Sequence, residues 1–328
     1  MDLSTRIPEG SVLFAPMEGV TDEVYRKTLS EIFPEWNYWS TDFLRIPGTG
    51  YYKDEKVLNH FGKSVLEDEK LTAKTSYQIL ASPSSNTVET VRQIQALGFK
   101  HLDLNLGCPS KAVCSHKGGS FLLSDLKLLE KVIKEIRSNF DHLFTVKIRI
   151  GFNDDQNFES IIRLLNDLGA QAITLHARTR KQLYKGRANW DYIRRAVEIS
   201  DVPIIGNGDI WSEEDIDRMF KEANCYAVMA ARGALKTPWL SKLYSIKKQN
   251  LELDKEKKEK MRRSFIKLYY KNLDQTYENA SWTADHRLRR FKGLSRYLFD
   301  DFENSSNLKS SLLRSKSLGE FQSYLGRI

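Results

Sequence analysis

Short apolar runs alternate with amphipathic segments over most of the chain. Each run is short enough for one buried strand, and each following segment repeats apolar residues three and four positions apart, which is typical of a helix that packs one face on a sheet. The predicted strands cover residues 12–15, 38–44, 75–80, 101–106, 145–150, 172–177, 202–205 and 226–230. Eight such strand–helix units match a (β/α)8 barrel, so we predict an α/β fold with a TIM barrel.

The alternation ends after Pro238, where long charged amphipathic segments replace the strands. We therefore predict a barrel domain over residues 1–240 and a small all-α helical bundle over residues 241–328. The charge divides in the same way, because residues 241–328 hold 20 Lys and Arg and 11 Asp and Glu, whereas residues 1–240 hold 31 and 32. This basic excess predicts a polyanionic partner, nucleic acid first, although a solvated basic surface would have the same composition.

The chain has three cysteines, Cys108, Cys114 and Cys225, which are too few for a disulfide framework and fit a reducing compartment. Their spacing matches no zinc pattern, so we expect no metal. No apolar run reaches the length of a membrane span, and the first ten residues lack the apolar core and cleavage site of a signal peptide. We expect a monomeric cytoplasmic protein without a membrane anchor.

Several predicted strands carry polar side chains at alternate positions, although barrel strands are normally buried on both faces. In the strand at 145–150 the apolar positions face the helices and the polar positions face the interior. The inward polar residues near the carboxyl ends of the strands are Gln78, Lys147, Arg149, His176 and Arg178. Burying them without partners would be strongly unfavourable. We therefore expect a polar or charged ligand at this end, where such barrels hold their active sites. The alternative is an internal salt-bridge network with Asp42, Asp103 and Asp209.

Two glycine-containing loops follow the last two predicted strands. They are Gly206-Asn207-Gly208-Asp209 and Ala231-Arg232-Gly233-Ala234. In barrels of this kind the loops at these positions commonly bind a phosphate through backbone N–H groups, and glycine lets the backbone come close. With Lys147 as a counter-charge, the two loops predict a phosphorylated cofactor. FMN fits better than a dinucleotide, because no G-x-G-x-x-G follows a strand.

The strand at 101–106 leads into a cysteine that is a candidate for chemistry. Cys108 lies at a strand-to-loop junction, and Lys111 and Lys117 follow it in the sequence, so these charges could shift the pKa of its thiol. Beside a redox cofactor a thiol can serve as an acid, a nucleophile or a redox partner, and the residue pattern alone leaves these roles open. The alternative is an inert small core residue, which is the usual state of cysteine.

Together these residues make the chain resemble the tRNA-dihydrouridine synthases over the whole barrel. The matching stretches are 15–22 (Ala-Pro-Met-Glu-Gly-Val-Thr-Asp), 105–110 (Asn-Leu-Gly-Cys-Pro-Ser), 146–149 (Val-Lys-Ile-Arg), 176–179 (His-Ala-Arg-Thr), 207–210 (Asn-Gly-Asp-Ile) and 232–233 (Arg-Gly). The first stretch and the strand at 41–45 are most similar to the bacterial C-type branch, which acts on position 16 of the tRNA D-loop. The helical tail fits the RNA-binding domain of the family.

The resemblance implies a flavin enzyme that acts on tRNA. NADPH reduces FMN, the reduced flavin passes a hydride to C6 of a uridine, and a cysteine, Cys108 by position, protonates C5. Residues 1–240 are then an FMN-binding catalytic domain and residues 241–328 a tRNA-binding domain. The implied cofactor-binding residues are Pro16, Met17, Glu18, Gln78, Asn105, Lys147, His176, Asn207, Gly208, Asp209, Ala231 and Arg232.

Contacts with tRNA are predicted in two parts of the chain. The resemblance suggests contacts through Arg178, Arg180 and Tyr184. The basic charge of the helical segment suggests contacts through Arg287, Arg289 and Arg290. Two other functions stay open at this point: a flavin barrel that reduces a small pyrimidine-like molecule, and an RNA-binding barrel that has lost its chemistry. The basic tail argues against the first, and the joint presence of Cys108, Lys147 and His176 argues against the second.

Overall fold

Parallel strands form a nearly closed barrel in the computed structural model, which describes residues 2–251, 253–299 and 305–328. The strands are β1 (Val12–Phe14), β2 (Trp39–Ser40), β3 (Leu44–Arg45), β4 (Thr75–Leu80), β5 (His101–Leu106), β6 (Leu143–Arg149), β7 (Ile173–His176), β8 (Ile204–Asn207) and β9 (Ala227–Ala230). Their order is β1-β9-β8-β7-β6-β5-β4-β2, and β3 also pairs with β4. A backbone bridge between Leu13 and Tyr38 brings the two ends of this order together. Because β2 and β3 occupy the same position beside β4, the strand order contains eight positions, as in a TIM barrel. The predicted TIM barrel is confirmed.

The predicted strand at 38–44 is in fact two strands separated by a bulge. Both β2 and β3 pair with β4, but residues 41–43 lie opposite only residues 77–78. An extra residue of this kind bends a strand and redirects its side chains. The hydroxyl of Thr41 accepts a hydrogen bond from the N–H of Gln78 at 2.9 Å, in place of a backbone carbonyl. The two residues after Thr41 consequently line the mouth of the barrel.

Amphipathic helices surround the barrel. The longer ones are Glu23–Ile32, Thr87–Ala96, Leu126–Arg137, Phe158–Asp167, Asp191–Ile199 and Glu213–Ala223. The shorter ones are Leu3–Arg6, Asp54–Phe61, Lys63–Leu66, Glu69–Ala73, Lys111–Cys114, Arg232–Lys236 and the 3-10 helix Gly119–Ser124. The helix Leu126–Arg137 illustrates what stabilises these helices. At its amino end the side chain of Asp125 caps the helix by accepting a hydrogen bond from the N–H of Leu128. One face of this helix is buried through Leu129, Val132, Ile133 and Ile136.

The barrel interior is apolar at the amino ends of the strands and polar at their carboxyl ends. The apolar part is a cluster that includes Leu3 of the first helix together with Leu13, Tyr38, Leu143, Ala172, Ile205, Ala227 and Met229. Along β6, Thr145, Lys147 and Arg149 follow Leu143 on the same inward face. The polar residues are therefore placed where the strands end.

Further helices follow the barrel. They are Leu240–Lys248, Lys255–Asn279, Ala284–Leu298, Ser305–Arg314 and Leu318–Gly326. The aromatic rings of Tyr270, Phe291 and Phe321 pack against one another at the centre of this part. Helix Lys255–Asn279 lies against helix Glu23–Ile32 of the barrel. None of the described helices is both long enough and apolar enough to cross a membrane.

Arg290 joins the helical part to the loop after β1. Its guanidinium pairs with the carboxylate of Asp22 at 2.8 Å and donates to the backbone carbonyls of Gly19, at 2.6 Å, and of Val20. The hydroxyl of Tyr277 donates to Asp22 at 2.9 Å and accepts from Nε of Arg290 at 2.8 Å. The same loop reaches the mouth of the barrel, so this cluster fixes the helical part relative to the mouth.

The variant Arg290→Leu is expected to lower the free energy of unfolding by about 3 kcal/mol, because it leaves the partly buried Asp22 carboxylate without its cation. Arg289→Leu is the matched control, since Arg289 is the exposed neighbour on the same helix and should change stability by less than about 0.5 kcal/mol. Urea unfolding followed by circular dichroism measures both values. If Arg290→Leu lowered the free energy of unfolding no more than Arg289→Leu does, Arg290 would have no structural role.

Candidate active site

A cavity of about 490 Å³ opens at the carboxyl ends of the strands. It brings together Cys108 and every residue that the sequence suggested as cofactor-binding: Pro16, Met17, Glu18, Gln78, Asn105, Lys147, His176, Asn207, Gly208, Asp209, Ala231 and Arg232. These residues are far apart in the chain and meet because the parallel strands all end at one rim. Their roles stay predictions. Within the part of the chain that the structure describes, no group of three His, Cys, Asp or Glu side chains could hold a metal ion.

The loop after β5 holds Cys108 at the edge of the cavity. The side-chain oxygen of Asn105 accepts the backbone N–H groups of Gly107 and Cys108, both at 3.0 Å. The hydroxyl of Ser120 donates to the carbonyl of Cys108 at 2.7 Å. A Cβ atom at Gly119, where φ is +57°, would lie 3.2 Å from Cβ of Cys108, so only a glycine fits there without strain. The thiol is therefore half-buried in a fixed loop.

The environment of Cys108 favours the protonated thiol. Burial raises the pKa of Cys108 above its ordinary value, and the charge of Glu18 acts in the same direction. The charge of Arg149 opposes this shift. Burial has the largest effect on this pKa, larger than that of any nearby charge. At neutral pH the group is a thiol that can give up a proton rather than a thiolate nucleophile.

Positive charge dominates the side of the cavity next to the Cys108 loop, because β6 pairs with β5 and Nε of Arg149 donates to the carbonyl of Gly107 at 2.8 Å. Nζ of Lys147 on β6 donates to the side-chain oxygen of Asn207 on β8 at 3.3 Å. Burial lowers the pKa of Lys147 to about 8, and the charge of Arg149 adds to the effect. Burial and these two cations also lower the pKa of His176 well below its ordinary value, so its imidazole is neutral at pH 7. A wall of this charge suits an anionic ligand, which would raise the pKa of Lys147 again.

The carboxylate of Asp209 is the partner of two arginines rather than of Lys147. It pairs with Arg178 at 2.7 Å and with Arg232 at 3.2 Å, and it accepts the N–H of Ala188 at 2.7 Å. Burial alone would raise the pKa of Asp209, but the bonds from Arg178 and Ala188 lower it overall. The alternative of an internal salt-bridge network therefore accounts for Arg178 and does not account for Lys147.

Two glycines allow the loops after β8 and β9 to come close to the rest of the site. A Cβ atom at Gly208, where φ is +122°, would lie 2.8 Å from Cβ of Ala188. A Cβ atom at Gly233 would lie 1.9 Å from the carbonyl oxygen of Ile210. Both loops line the cavity. The backbone therefore has the close approach that the predicted phosphate site requires.

Residues 13–325 match the family model described as Dihydrouridine synthase (Dus). The chain belongs to the dihydrouridine synthase family. The resemblance that we read from the sequence is thus confirmed, and with it the enzyme class, because dihydrouridine synthases are flavin-dependent oxidoreductases that act on tRNA uridine.

Relatives of this synthase chain include proteins named tRNA-dihydrouridine(16) synthase. One from Yersinia pestis is 34% identical over 241 residues, which cover 71% of this chain and 75% of the relative. One from Cupriavidus necator is 32% identical over 234 residues, or 70% of this chain and 72% of the relative. One from Shewanella oneidensis is 31% identical over 234 residues, or 70% and 73%.

Solved structures of other enzymes share the barrel. Histamine dehydrogenase from Rhizobium sp. 4-9 superposes with a TM-score of 0.55 at 12% identity, over 74% of this chain and 46% of that enzyme. A 2-naphthoyl-CoA reductase superposes with a TM-score of 0.50 at 11% identity, over 71% of this chain and 49% of that enzyme. The synthase chain spans about half the length of each, and at these identities the likeness concerns the fold alone.

The loop after β7 carries three residues that we predicted to contact tRNA. Tyr184 is 54% exposed at the mouth of the synthase cavity, and Arg180 is partly exposed. Arg178, however, is 1% exposed and donates to the backbone carbonyls of Lys185 and Gly186. The guanidinium of Arg178 is thus bound to its own loop, and its predicted contact with tRNA stays a prediction.

Two of the three arginines predicted in the helical part are also paired within the protein, and their contacts with tRNA stay predictions. Arg287 is 8% exposed and pairs with Asp274 at 3.2 Å and Glu278 at 2.9 Å. Arg290 is bound to the loop after β1. Both guanidinium groups are thus committed to carboxylates of the synthase itself. Arg289 is exposed and stays a candidate for contact with tRNA.

A groove of about 740 Å³ continues from the cavity along the helical part. Val20 and Tyr297 line both the cavity and the groove. The other aromatic and basic residues along the groove are Trp282, His286, Arg289, Arg290 and Arg296. Tyr297, which is 39% exposed, was not predicted as a site residue, because only the packing of the helical part on the barrel brings it to the mouth.

Two further residues line the cavity but were not predicted as site residues from the sequence. Arg149 lines the cavity and was already predicted to point inward, so its alternation with Lys147 was an available signal. Trp211 lines the cavity directly after the loop that follows β8, and the guanidinium of Arg232 lies 4.9 Å from the centre of its ring. Its position after a glycine loop was the signal that we did not use.

Because the thiol pKa of Cys108 is raised, its alkylation by iodoacetamide is expected to keep accelerating with pH above pH 9 instead of levelling off near neutrality. Mass spectrometry of the peptide that contains Cys108, after short exposures at a series of pH values, measures the rate. The buried Cys225 is an internal control that should react more slowly at every pH. A plateau below pH 8 would show that Cys108 is a stabilised thiolate.

Proposed function

We propose that this protein reduces the C5–C6 double bond of uridine 16 in the D-loop of tRNA, as a monomeric cytoplasmic enzyme that uses FMN and NADPH. The observation that carries the proposal is that a protonated thiol, Cys108, shares one cavity with the cationic Lys147 and the glycine loops after β8 and β9. The relatives named for position 16 support the choice of uridine.

The residues of the cavity fit FMN. Gly208 and Gly233 pack closely on Ala188 and Ile210 in loops that line the cavity, backbone N–H groups of such loops can bind a phosphate, and the nearby cations suit the charge of that phosphate. Gly208, Ala231 and Arg232 would hold the phosphate end, while Gln78 and Lys147 would lie against the ring. The chemistry that FMN supplies when it is bound is the transfer of a hydride, taken from NADPH, to C6 of the uracil. The remaining predicted contacts are Pro16, Met17, Glu18, Asn105, His176, Asn207 and Asp209.

Lys147 provides the charge that a reduced flavin needs. Burial holds its pKa near 8 in the protein alone, so an anion placed beside Nζ gains a desolvated cation as its partner. Interactions of this kind are stronger in a buried site than in water. Lys147 therefore stabilises negative charge on the ring side of the cavity.

Cys108 gives its proton to C5 of the uracil. A general acid has to be protonated before the reaction, and burial ensures this by raising the pKa of the thiol. The thiolate that remains is stabilised by Arg149, whose charge lowers the same pKa. Water at the open mouth of the cavity then returns the proton. Cys108 acts as a proton donor and forms no covalent bond to the base.

The target base has to leave its stack to reach this cavity. The groove that continues from the cavity offers the exposed Tyr297 and Arg289 beside the mouth, and Tyr184 lies exposed on the other loop. Aromatic rings can stack on unpaired bases, and arginines can pair with phosphates. The basic helical part thus serves as the tRNA-binding domain, residues 241–328, next to the catalytic domain, residues 1–240.

A small pyrimidine-like substrate is the second candidate for the same chemistry. The groove and the exposed arginines beside the cavity favour a macromolecular substrate, because a small molecule needs no such surface. A non-catalytic RNA-binding barrel is a third candidate, and the arrangement of Cys108, Lys147 and His176 around one cavity favours an enzyme. Uptake of FMN and turnover of tRNA separate the three.

The purified protein is expected to be yellow and to lose its colour when NADPH is added without oxygen. Lys147→Gln should weaken FMN binding by about tenfold or more, because it removes a desolvated cation beside an anionic ligand. Lys131→Gln, at an exposed lysine on an outer helix, is the control and should bind FMN like the wild type. Fluorescence titration of FMN measures both. A wild-type protein without affinity for FMN would exclude the proposed cofactor.

The variant Cys108→Ala is expected to keep FMN and tRNA binding and to lose about 100-fold or more of uridine reduction, the usual contribution of a general acid. Cys225→Ala, which removes a buried cysteine outside the cavity, should keep its activity. Mass spectrometry of nuclease-digested tRNA gives the amount and position of dihydrouridine. Full turnover by Cys108→Ala would exclude it as the proton donor, and product at another position would exclude uridine 16.

A further inference from the structure

A chain of hydrogen-bonded side chains runs through the barrel interior beneath the cavity. Oδ1 of Asn105 accepts the backbone N–H groups of Gly107 and Cys108. Nδ2 of Asn105 donates to Oε1 of Gln78 at 2.8 Å, and Nε2 of Gln78 donates to Oδ2 of Asp103 at 2.6 Å. The chain therefore connects a carboxylate inside β5 to the backbone that carries the reactive thiol.

The backbone N–H groups determine the direction of this chain. They can only donate, so Asn105 has to turn its oxygen to them and its Nδ2 to Gln78. Gln78 then turns its oxygen to Asn105 and its Nε2 to Asp103. The last group in the chain has to accept, and an ionised carboxylate is an acceptor that has no proton to give.

A second branch reaches Asp103 from the opposite side. The hydroxyl of Thr145 donates to Oδ1 of Asp103 at 2.6 Å, and its oxygen lies 2.9 Å from Nε2 of His101. Since Thr145 gives its only proton to Asp103, His101 has to donate from Nε2 and to accept the hydroxyl proton of Tyr38 at Nδ1. His101 is neutral, because burial lowers its pKa to about 3. Both branches end in Asp103.

Asp103 acts beneath the site rather than in it. It is 6% exposed and does not line the cavity formed by the described residues. Burial raises the pKa of Asp103 to about 6, against the bonds from Thr145 and Gln78 and the charge of Lys147. The carboxyl is therefore ionised at pH 7, as its place at the end of both branches requires.

We propose that Asp103 is a positioning residue, whose carboxylate orients the amides of Gln78 and Asn105 and so holds the backbone at Cys108. Its importance for the reaction rests on the proposed function, whereas its hold on Cys108 is a property of the protein alone. An amide in place of the carboxylate has to direct its NH2 at Gln78 or at Thr145. The first choice turns Gln78 and Asn105 round, and the N–H groups of the Cys108 loop then lose their acceptor.

The second choice is the less favourable one. If the NH2 group faced Thr145, the hydroxyl of Thr145 would have to donate to His101, and His101 would have to donate to Tyr38. The hydroxyl proton of Tyr38, which is 2% exposed, would then have no acceptor, and an unsatisfied buried polar group is strongly unfavourable. The loop at Cys108 lies closer to solvent, so the disturbance is expected there.

The same geometry also allows the chain to run in the opposite direction. In the double variant Asp103→Asn/Asn105→Asp, the new amide donates to Oε1 of Gln78 and accepts from Thr145. Nε2 of Gln78 then donates to the new carboxylate, whose other oxygen accepts the N–H groups of Gly107 and Cys108. Every group in the chain has a partner again. With either substitution alone, two hydrogen-bond donors or two acceptors face each other in the chain.

The rate of alkylation of Cys108 by iodoacetamide, measured by mass spectrometry on the full chain without tRNA, tests this proposal. Asp103→Asn is expected to react about fivefold faster than the wild type, as expected for the loss of one hydrogen bond, and the double variant should react within about twofold of the wild type. Wild-type reactivity of Asp103→Asn would overturn the proposal. A double variant as fast as Asp103→Asn would also overturn it.

Thr145→Val is the control for general loosening of the barrel. It removes a bond to Asp103 on the side away from Cys108, so its alkylation rate should stay within about twofold of the wild-type rate. A rate as fast as that of Asp103→Asn would overturn the proposal. If Asp103→Asn alone does not fold, recovery of folded protein in the double variant, judged by circular dichroism, supports the reversal, and an unfolded double variant overturns it.

Steady-state kinetics separate this inference from the proposed function. Asp103→Asn should lower kcat for uridine reduction by about tenfold or more while KM for tRNA changes by less than about twofold, because the contacts with tRNA lie elsewhere. An unchanged kcat would overturn the catalytic part of the proposal. If the wild type does not reduce uridine at all, the proposed function fails, and the alkylation rates still decide whether Asp103 positions Cys108.

Discussion

Polar groups inside the barrel have to find hydrogen-bond partners away from bulk water, and this requirement shapes the whole site. At the amino ends of the strands the interior is mainly apolar, and the buried His101 there is paired with Tyr38 and Thr145. Toward the carboxyl ends the inward positions of β5 and β6 are Asp103, Asn105, Thr145, Lys147 and Arg149. The first three satisfy one another in a closed set of bonds that includes Gln78. Among the residues that the structure describes, the hydrogen bond of Lys147 is a long one to the amide oxygen of Asn207, so Lys147 keeps capacity for a ligand.

The loop after β1 couples the cavity to the helical part of the chain. One end of this loop lines the cavity through Pro16 and Met17, and the other end receives the guanidinium of Arg290. The helical part also contributes Tyr297 to the mouth. The shape of the cavity consequently depends on the position of the helical surface that would hold an RNA. A change in the packing of the two parts would alter both.

The alternation of apolar and polar residues was sufficient to predict the barrel and the inward side chains, because that pattern is local. It also placed Cys108 and Lys147 at one rim, since all parallel strands end there. Partners that are distant in the chain were not predictable. Asp209 was a possible partner for all the inward cations, and the sequence did not indicate that it pairs with Arg178 rather than with Lys147. Arg290 bonds to Gly19, 271 residues away, so its basic character gave no indication of whether its charge was free. The bulge at 41–43 was missed because its residues continue the strand pattern without a break.

Burial sets the protonation of three groups in this cavity in three different ways. The same loss of water raises the pKa of Cys108, lowers that of Lys147 to about 8 and makes His176 neutral. The thiol therefore keeps its proton, as its proposed role requires, and the imidazole adds no further charge. Lys147 stays mostly charged at pH 7, and an anion bound beside it would shift its pKa upward and make the charge complete. One physical cause, desolvation, thus favours both a protonated thiol and a site for an anion in the same cavity.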